Sequence, residues 1–183
     1  MGRTLDDLYA LAEGQDGFFT TRQAAREGVS KEAVVQAERR GRLERYQRGV
    51  YRLKFFPHNA GTAHYWEALL WPQARTEVPA ILSHETALRL HGLSDTNPAF
   101  VHITVPRAVR IQREPPQWLK VHRADVPEDR TEYVDGLPVT NVVQTLTDLL
   151  DEGVVGPNVL HDARRDAERL GIALPNDLKA RLG

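Results

Sequence analysis

Apolar residues recur at helical spacing from the start of the chain. In TLDDLYALAEG, Leu5, Leu8, Leu11 and Ala12 share one stripe, Thr4 with Asp7 forms a capping pair, and Gly14 is placed to stop the helix. Phe18 and Phe19 follow as an apolar pair that should pin the next turn to the core. Thr20 or Thr21 then caps a short helix through Gln23, Ala24, Ala25 and Arg26. Gly28 closes it, Val29 tucks in, and Ser30 caps a further helix, KEAVVQAERR, which Gly41 ends. Two short helices joined by a glycine-containing turn are the pattern of a helix-turn-helix. In its second helix Ala33, Val34 and Ala37 are expected to face inward. Lys31, Glu32, Val35, Gln36, Arg39 and Arg40 are left outside or at the margin.

The period then changes from helical to alternating. Leu43–Tyr46 and Val50–Leu53 flank a Gln47-Arg48-Gly49 turn, which predicts a hairpin with glycine in the left-handed conformation. A hairpin directly behind a recognition helix is a wing. Phe55-Phe56-Pro57-His58-Asn59 reads as a boundary, giving a winged helix-turn-helix domain over 1–56 and a second domain over 57–183. In the second, GTAHYWEALLW offers Tyr65, Trp66, Leu69 and Leu70 to a core. Ser83 is placed to cap HETALRLHG, ended by Gly92. Alternating segments follow at 101–105, 118–122 and 133–139, the last turning at Asp135-Gly136. Helices are expected from about Val142 to Leu150, from Pro157 to Leu170, and in a short piece capped by Asn176. The fold class is therefore α+β: an N-terminal winged helix-turn-helix and a mixed α/β C-terminal domain of sufficient size for its own core.

Charge sharpens this reading. The formal net charge is only -1, yet residues through Phe56 carry 11 Lys and Arg against 8 Asp and Glu, and the remainder carries 13 against 17. Arg39, Arg40, Arg42, Arg45 and Arg48 fall within ten residues, where helix end and wing would face a duplex. The expected partner is double-stranded DNA. Thr21, Ser30, Lys31, Gln36, Arg39 and Arg40 would lie at or near the major groove, with Gln36 shaped to grip an adenine edge and Val35 near a thymine methyl. Arg42, Arg45 and Arg48 would meet phosphates or the minor groove. A second basic stretch, Arg107, Arg110, Arg113, Lys120 and Arg123, extends this footprint, docks another macromolecule or forms a solvated loop.

The order SHETALRLHGLSD, HITVP, LKVHRAD and VDGLPVTNVVQTLTDLL, behind a winged helix ending in RRGRLERYQRGVYRL, resembles the AbiEi-type antitoxins of type IV toxin-antitoxin, abortive-infection systems. The resemblance runs from about Leu5 to about Leu170. It implies a repressor that binds repeats in its own promoter, with a C-terminal domain that counters a nucleotidyltransferase-type toxin without a stable complex. Many relatives are longer, and others carry two basic residues where Val35 and Gln36 stand here.

Other chemistry finds little footing. The chain has no cysteine, which removes disulfides and thiolate metal sites. Of seven histidines, His84 and His91 sit two helical turns apart, too far to chelate one ion, and His102 and His122 would meet only through strand pairing. With no HExxH spacing and no glycine-rich phosphate loop, the expectation is no catalytic residue, no metal and no cofactor, the histidines serving as core or caps. Ser83 before His84 reads as an N-cap rather than a nucleophile, and Asp177-Leu178-Lys179 as surface charge. The opening residues lack the apolar stretch of a signal peptide, and Asp6 stands where myristoylation wants Ser or Thr. The expected location is cytoplasmic, with no membrane partner. Two other functions fit the same residues: a protein- or RNA-interaction module, or a metal-dependent nuclease using the histidines and acids.

Overall fold

The apolar stripe of the first helix closes over a small sheet in the computed structural model, which describes residues 7–57, 59, 61–73, 80–93 and 98–183. Thr4 and Leu5 of the expected capping pair and stripe lie outside the described residues. The chain divides into two compact units, one of residues 1–80 with 109–112, the other of residues 81–108 with 113–183. Each is described by itself.

In the first unit the order is α1 (Asp7–Glu13), β1 (Phe18–Thr20), α2 (Thr21–Arg26), α3 (Lys31–Arg39), β2 (Leu43–Gln47), β3 (Val50–Leu53) and α4 (Ala63–Gln73). The three strands form an antiparallel sheet with β3 in the middle. Phe18 and Phe19, expected to pin a turn, instead make up β1, and both are fully buried. Such burial favours folding by roughly 1.5–3 kcal/mol per side chain. Phe19 joins Leu8, Ala12, Ala24, Val29, Val34, Ala37, Leu43 and Tyr51 in one core. Phe18 points to the other side, with Val50, Ala63 and Leu70. The helix α4 thus packs within the first unit.

Local chemistry sets the helix-turn-helix. Thr20, not Thr21, is the N-cap: its Oγ1 accepts from Gln23 N at 3.1 Å, while Gln23 Oε1 accepts from Thr20 N at 2.8 Å. Gly28 adopts φ 77°, Val29 is buried, and Ser30 Oγ accepts from Ala33 N at 3.2 Å to start α3. Ala33 is exposed, contrary to its expected inward position, because Val34 and Ala37 alone take the buried stripe in that half of the helix. Arg52, in the central strand, is buried at 2% exposure. Its guanidinium donates to the carbonyls of Asp16 (3.0 Å), Phe56 (3.3 Å) and Pro57 (2.9 Å) and lies 5.5 Å from the Phe18 ring centre. It holds the left-handed Asp16-Gly17 turn, where a Cβ on Gly17 would come within 2.8 Å of Phe56.

The second unit is built on a five-stranded mixed sheet of order β6-β5-β4-β8-β7. Its elements are β4 (Ile81–Leu82), α5 (His84–Leu90), β5 (Val101–Val105), β6 (Leu119–Arg123), β7 (Thr131–Val134), β8 (Leu137–Thr140), α6 (Val142–Glu152), α7 (Pro157–Arg169) and α8 (Asn176–Leu182). Asp135 and Gly136, both at positive φ, make the tight turn between β7 and β8. Asn141 Oδ1 caps α6 by accepting from Gln144 N at 2.9 Å, and Gly153 ends that helix in the left-handed conformation. Leu88, Leu146, Leu149, Leu160, Ala163, Leu178 and Leu182 interdigitate between the helices.

Two expected caps are absent. Ser83 occupies the N-cap position of α5 but makes no capping bond; its hydroxyl accepts from Thr104 Oγ1 at 2.8 Å. Asn176 is the first helical residue of α8, with Pro175 before it and no side-chain cap.

Asp148 on α6 gives a pH test of this unit. Burial, opposed by a hydrogen bond from Gln144 and aided by Glu152 and Asp151, pushes its carboxyl up to about 6. A raised carboxyl contributes stability that is present below the ordinary value and is lost as pH rises through about 6. Asp148→Asn is therefore expected to stabilise the protein by on the order of 1 kcal/mol at pH 7.5, after solvent screening is allowed for. The gain should shrink at pH 4.5. Thermal melts of both proteins at the two pH values check this, and a gain that grew on acidification would contradict it.

Candidate nucleic-acid interface

The surface that a duplex would meet is assembled from three local structures. The caps at Thr20 and Ser30 fix α2 and α3 across the Gly28 turn, and burial of Val34 and Ala37 turns the opposite face of α3 to solvent. That face carries Lys31, Glu32, Val35, Gln36 and Arg39, which line an open depression of about 230 Å³. Gly41 at φ 69° then redirects the chain into the hairpin. Leu43 anchors β2 in the core, a bulge between Arg45 and Gln47 bends it, and Gly49 at φ 83° closes the tip. The tip is fastened to α2, since Thr21 N donates to Gly49 O at 3.0 Å. Tyr46 packs edge-on against Phe18, and Gln47 donates to Glu67 O, so these two belong to the wing's support.

Lys31, Gln36, Arg39, Arg40, Arg42, Arg45 and Arg48 are all exposed, as is Ser30, whose hydroxyl is occupied as a cap. Among the described residues, none of the five arginines from 39 to 48 is ion-paired with a carboxylate. Arg40 is hydrogen-bonded, its Nη2 donating to Gln36 Oε1 at 3.3 Å. That contact fixes the Gln36 amide while leaving its Nε2 and a second lone pair on Oε1 able to bond. Thr21, half-buried, opens α2.

The second basic stretch is divided. Arg110 clusters with the first unit, whereas Arg107, Arg113, Lys120 and Arg123 belong to the second. Arg107, Arg110, Lys120 and Arg123 are exposed, and Lys120 Nζ sits 4.4 Å from the Phe100 ring centre.

The histidines do more than fill a core. His91 bonds the Thr140 carbonyl at 2.7 Å, a structural role of the expected kind. His102 and His122 meet through strand pairing, the one route their positions allow. In the parallel pairing of β5 with β6, His102 lies opposite Lys120 and Thr104 opposite His122, which sets His102 and His122 diagonally on one face. His84 joins them from the start of α5, held at φ 53°, so that its ring stacks 3.6 Å from that of His122. Potential donor atoms of all three lie within 4.8 Å of one another. His102 Nδ1 and His122 Nε2 are 3.0 Å apart. Glu152 at the end of α6 reaches His84 Nε2 (3.2 Å) and His122 Nδ1 (3.0 Å), and Glu85 reaches His102 Nε2 (3.2 Å). Burial and the neighbouring His122 lower His84 to about 4; burial, His122 and His84 lower His102 to about 3; burial also lowers His122. His84 and His102 are therefore neutral near pH 7.

A winged helix followed by a mixed α/β unit defines the class. Residues 6–54 match the family model described as "Transcriptional regulator, AbiEi antitoxin", a match that supports a regulator or antitoxin role. Among solved structures the chain resembles the RV2827C protein from Mycobacterium tuberculosis, with TM-score 0.53, 15% identity, and coverage of 100% of this chain and 76% of that one. That likeness concerns the fold. No curated protein matches the chain. No helix among the described residues is long and apolar enough to cross a membrane.

Proposed function

We propose that the protein is a sequence-specific DNA-binding repressor of the antitoxin type. It binds repeats in its own promoter, and its functional counterpart is a nucleotidyltransferase-type toxin with which it forms no stable complex. The observation that carries this reading is the continuous run of exposed, carboxylate-free arginines from the end of α3 through the wing, on a winged-helix frame whose family match is to transcriptional regulators. Lys31, Gln36 and Arg39 enter the major groove with the exposed face of α3, and Arg42, Arg45 and Arg48 contact phosphates or the minor groove. The exposed Arg107 and Lys120 of the second unit are a further basic surface for a polyanion. Its place of action is the cytoplasm.

Band shifts with duplexes from the region upstream of the gene test the docking. Gln36→Ala is expected to relax preference at one base pair, worth about 1–3 kcal/mol of discrimination, with little change on unrelated DNA. Arg48→Ala is expected to weaken binding to every duplex alike. If neither variant alters the shift, the docking is wrong.

A further inference from the structure

The cluster of His84, His102 and His122 belongs to neither the wing nor the recognition helix, and its construction is that of a ligand site. Two of its rings are buried, at 2% and 0% exposure, and the third is partly open. Buried imidazoles ordinarily satisfy both nitrogens. Here His84 Nε2 is buried with only a Glu152 oxygen near it, at 3.2 Å, and His102 Nε2, likewise buried, faces Glu85 on the far side of its ring at 3.2 Å. The backbone is also bent to the purpose: a non-glycine residue at positive φ is held only where its surroundings enforce it. At His84 the ring meets the Ser83 hydroxyl, 2.9 Å from Nδ1, and the stacked His122 ring.

From this arrangement we propose that His84, His102 and His122, with Glu152 beside them, bind one divalent transition metal ion of the zinc class. Three imidazoles and a carboxylate are a donor set that suits Zn²⁺, and the absence of cysteine is no obstacle. Donor nitrogens around zinc lie roughly 3.3 Å apart, a value set by Zn–N bonds of about 2.0–2.1 Å. His102 Nδ1 and His122 Nε2, hydrogen-bonded to each other at 3.0 Å, would need to part by only about 0.3 Å to reach it. The His84 ring, stacked flat on His122, must turn about its Cβ–Cγ bond to aim a nitrogen at the same point. Glu85 stands behind His102, in the outer position that orients a ligand histidine. The ion would tie α5, β5, β6 and the end of α6 together at one point of the second unit.

The test uses the full chain, free of any tag and stripped with a chelator. Titration with Co²⁺ as a spectroscopic probe, and with Zn²⁺ in competition, is expected to show one equivalent per chain and a visible ligand-field band. A rise in melting temperature should follow the same stoichiometry. His122→Gln, on the partly open member, is expected to weaken uptake about a hundredfold or more while the circular dichroism stays that of the folded chain. Glu85→Gln should weaken it by about ten- to a hundredfold. His161→Ala, on the exposed face of α7, should leave it unchanged. A folded wild-type chain that takes up no stoichiometric metal overturns the proposal. So does uptake that survives His122→Gln and His102→Ala together in folded protein.

Discussion

Replacing Arg52 with methionine is expected to destabilise the first unit by about 3–5 kcal/mol and to abolish DNA binding with it, although Arg52 does not face the duplex. Its three carbonyl partners, Asp16, Phe56 and Pro57, lie on segments that no strand pairing secures, and all lose their donor in one step. The Asp16 carboxylate, 4.0 Å from Nη2, loses its cation as well. Lysine keeps the charge but cannot reach three carbonyls in the plane of one guanidinium, so Arg52→Lys should fall between wild type and Arg52→Met. Urea unfolding followed through Trp66 and Trp71, both in α4 of the first unit, reads the effect. A midpoint unchanged in Arg52→Met would mean that this buried cation contributes nothing net.

The second large effect is on binding alone. Changing Arg42, Arg45 and Arg48 together to alanine removes three exposed side chains with no described carboxylate partner, so the melting temperature should hardly move. Affinity for promoter DNA should fall about a thousandfold, since each charge-assisted phosphate contact is worth about 1.5 kcal/mol or more. Loss of both stability and binding would instead assign these arginines to the fold.

The two variants separate residues that look alike along the chain. Val50-Tyr51-Arg52-Leu53 alternates well enough to predict a strand, but nothing in the alternation marks the arginine for full burial. Arg52 is buried because β3 is the central strand, with β1 on its other edge, and β1 is only Phe18–Thr20, too short to show a period. The helix-turn-helix was legible for the opposite reason. Its signals, the Thr20 and Ser30 caps and the glycines at 28 and 41, act over three or four residues and need no distant partner. The β7–β8 turn at Asp135-Gly136 was readable on the same local grounds. Ser83 misled because its position is that of a cap, while Thr104, twenty-one residues on, claims its hydroxyl. The histidine cluster was hidden in a similar way. It depends on the register of β5 against β6, and nothing in the intervening residues 106–118 specifies that register in advance.

If the charges of the wing lie against phosphates, the salt dependence of binding must show it. The observed association constant for a promoter duplex would be measured across a range of salt concentrations for wild type and for the Arg42, Arg45, Arg48 triple alanine variant. Release of counterions predicts that the logarithmic slope becomes shallower by roughly 3 units in the variant. Parallel lines for the two proteins would contradict it.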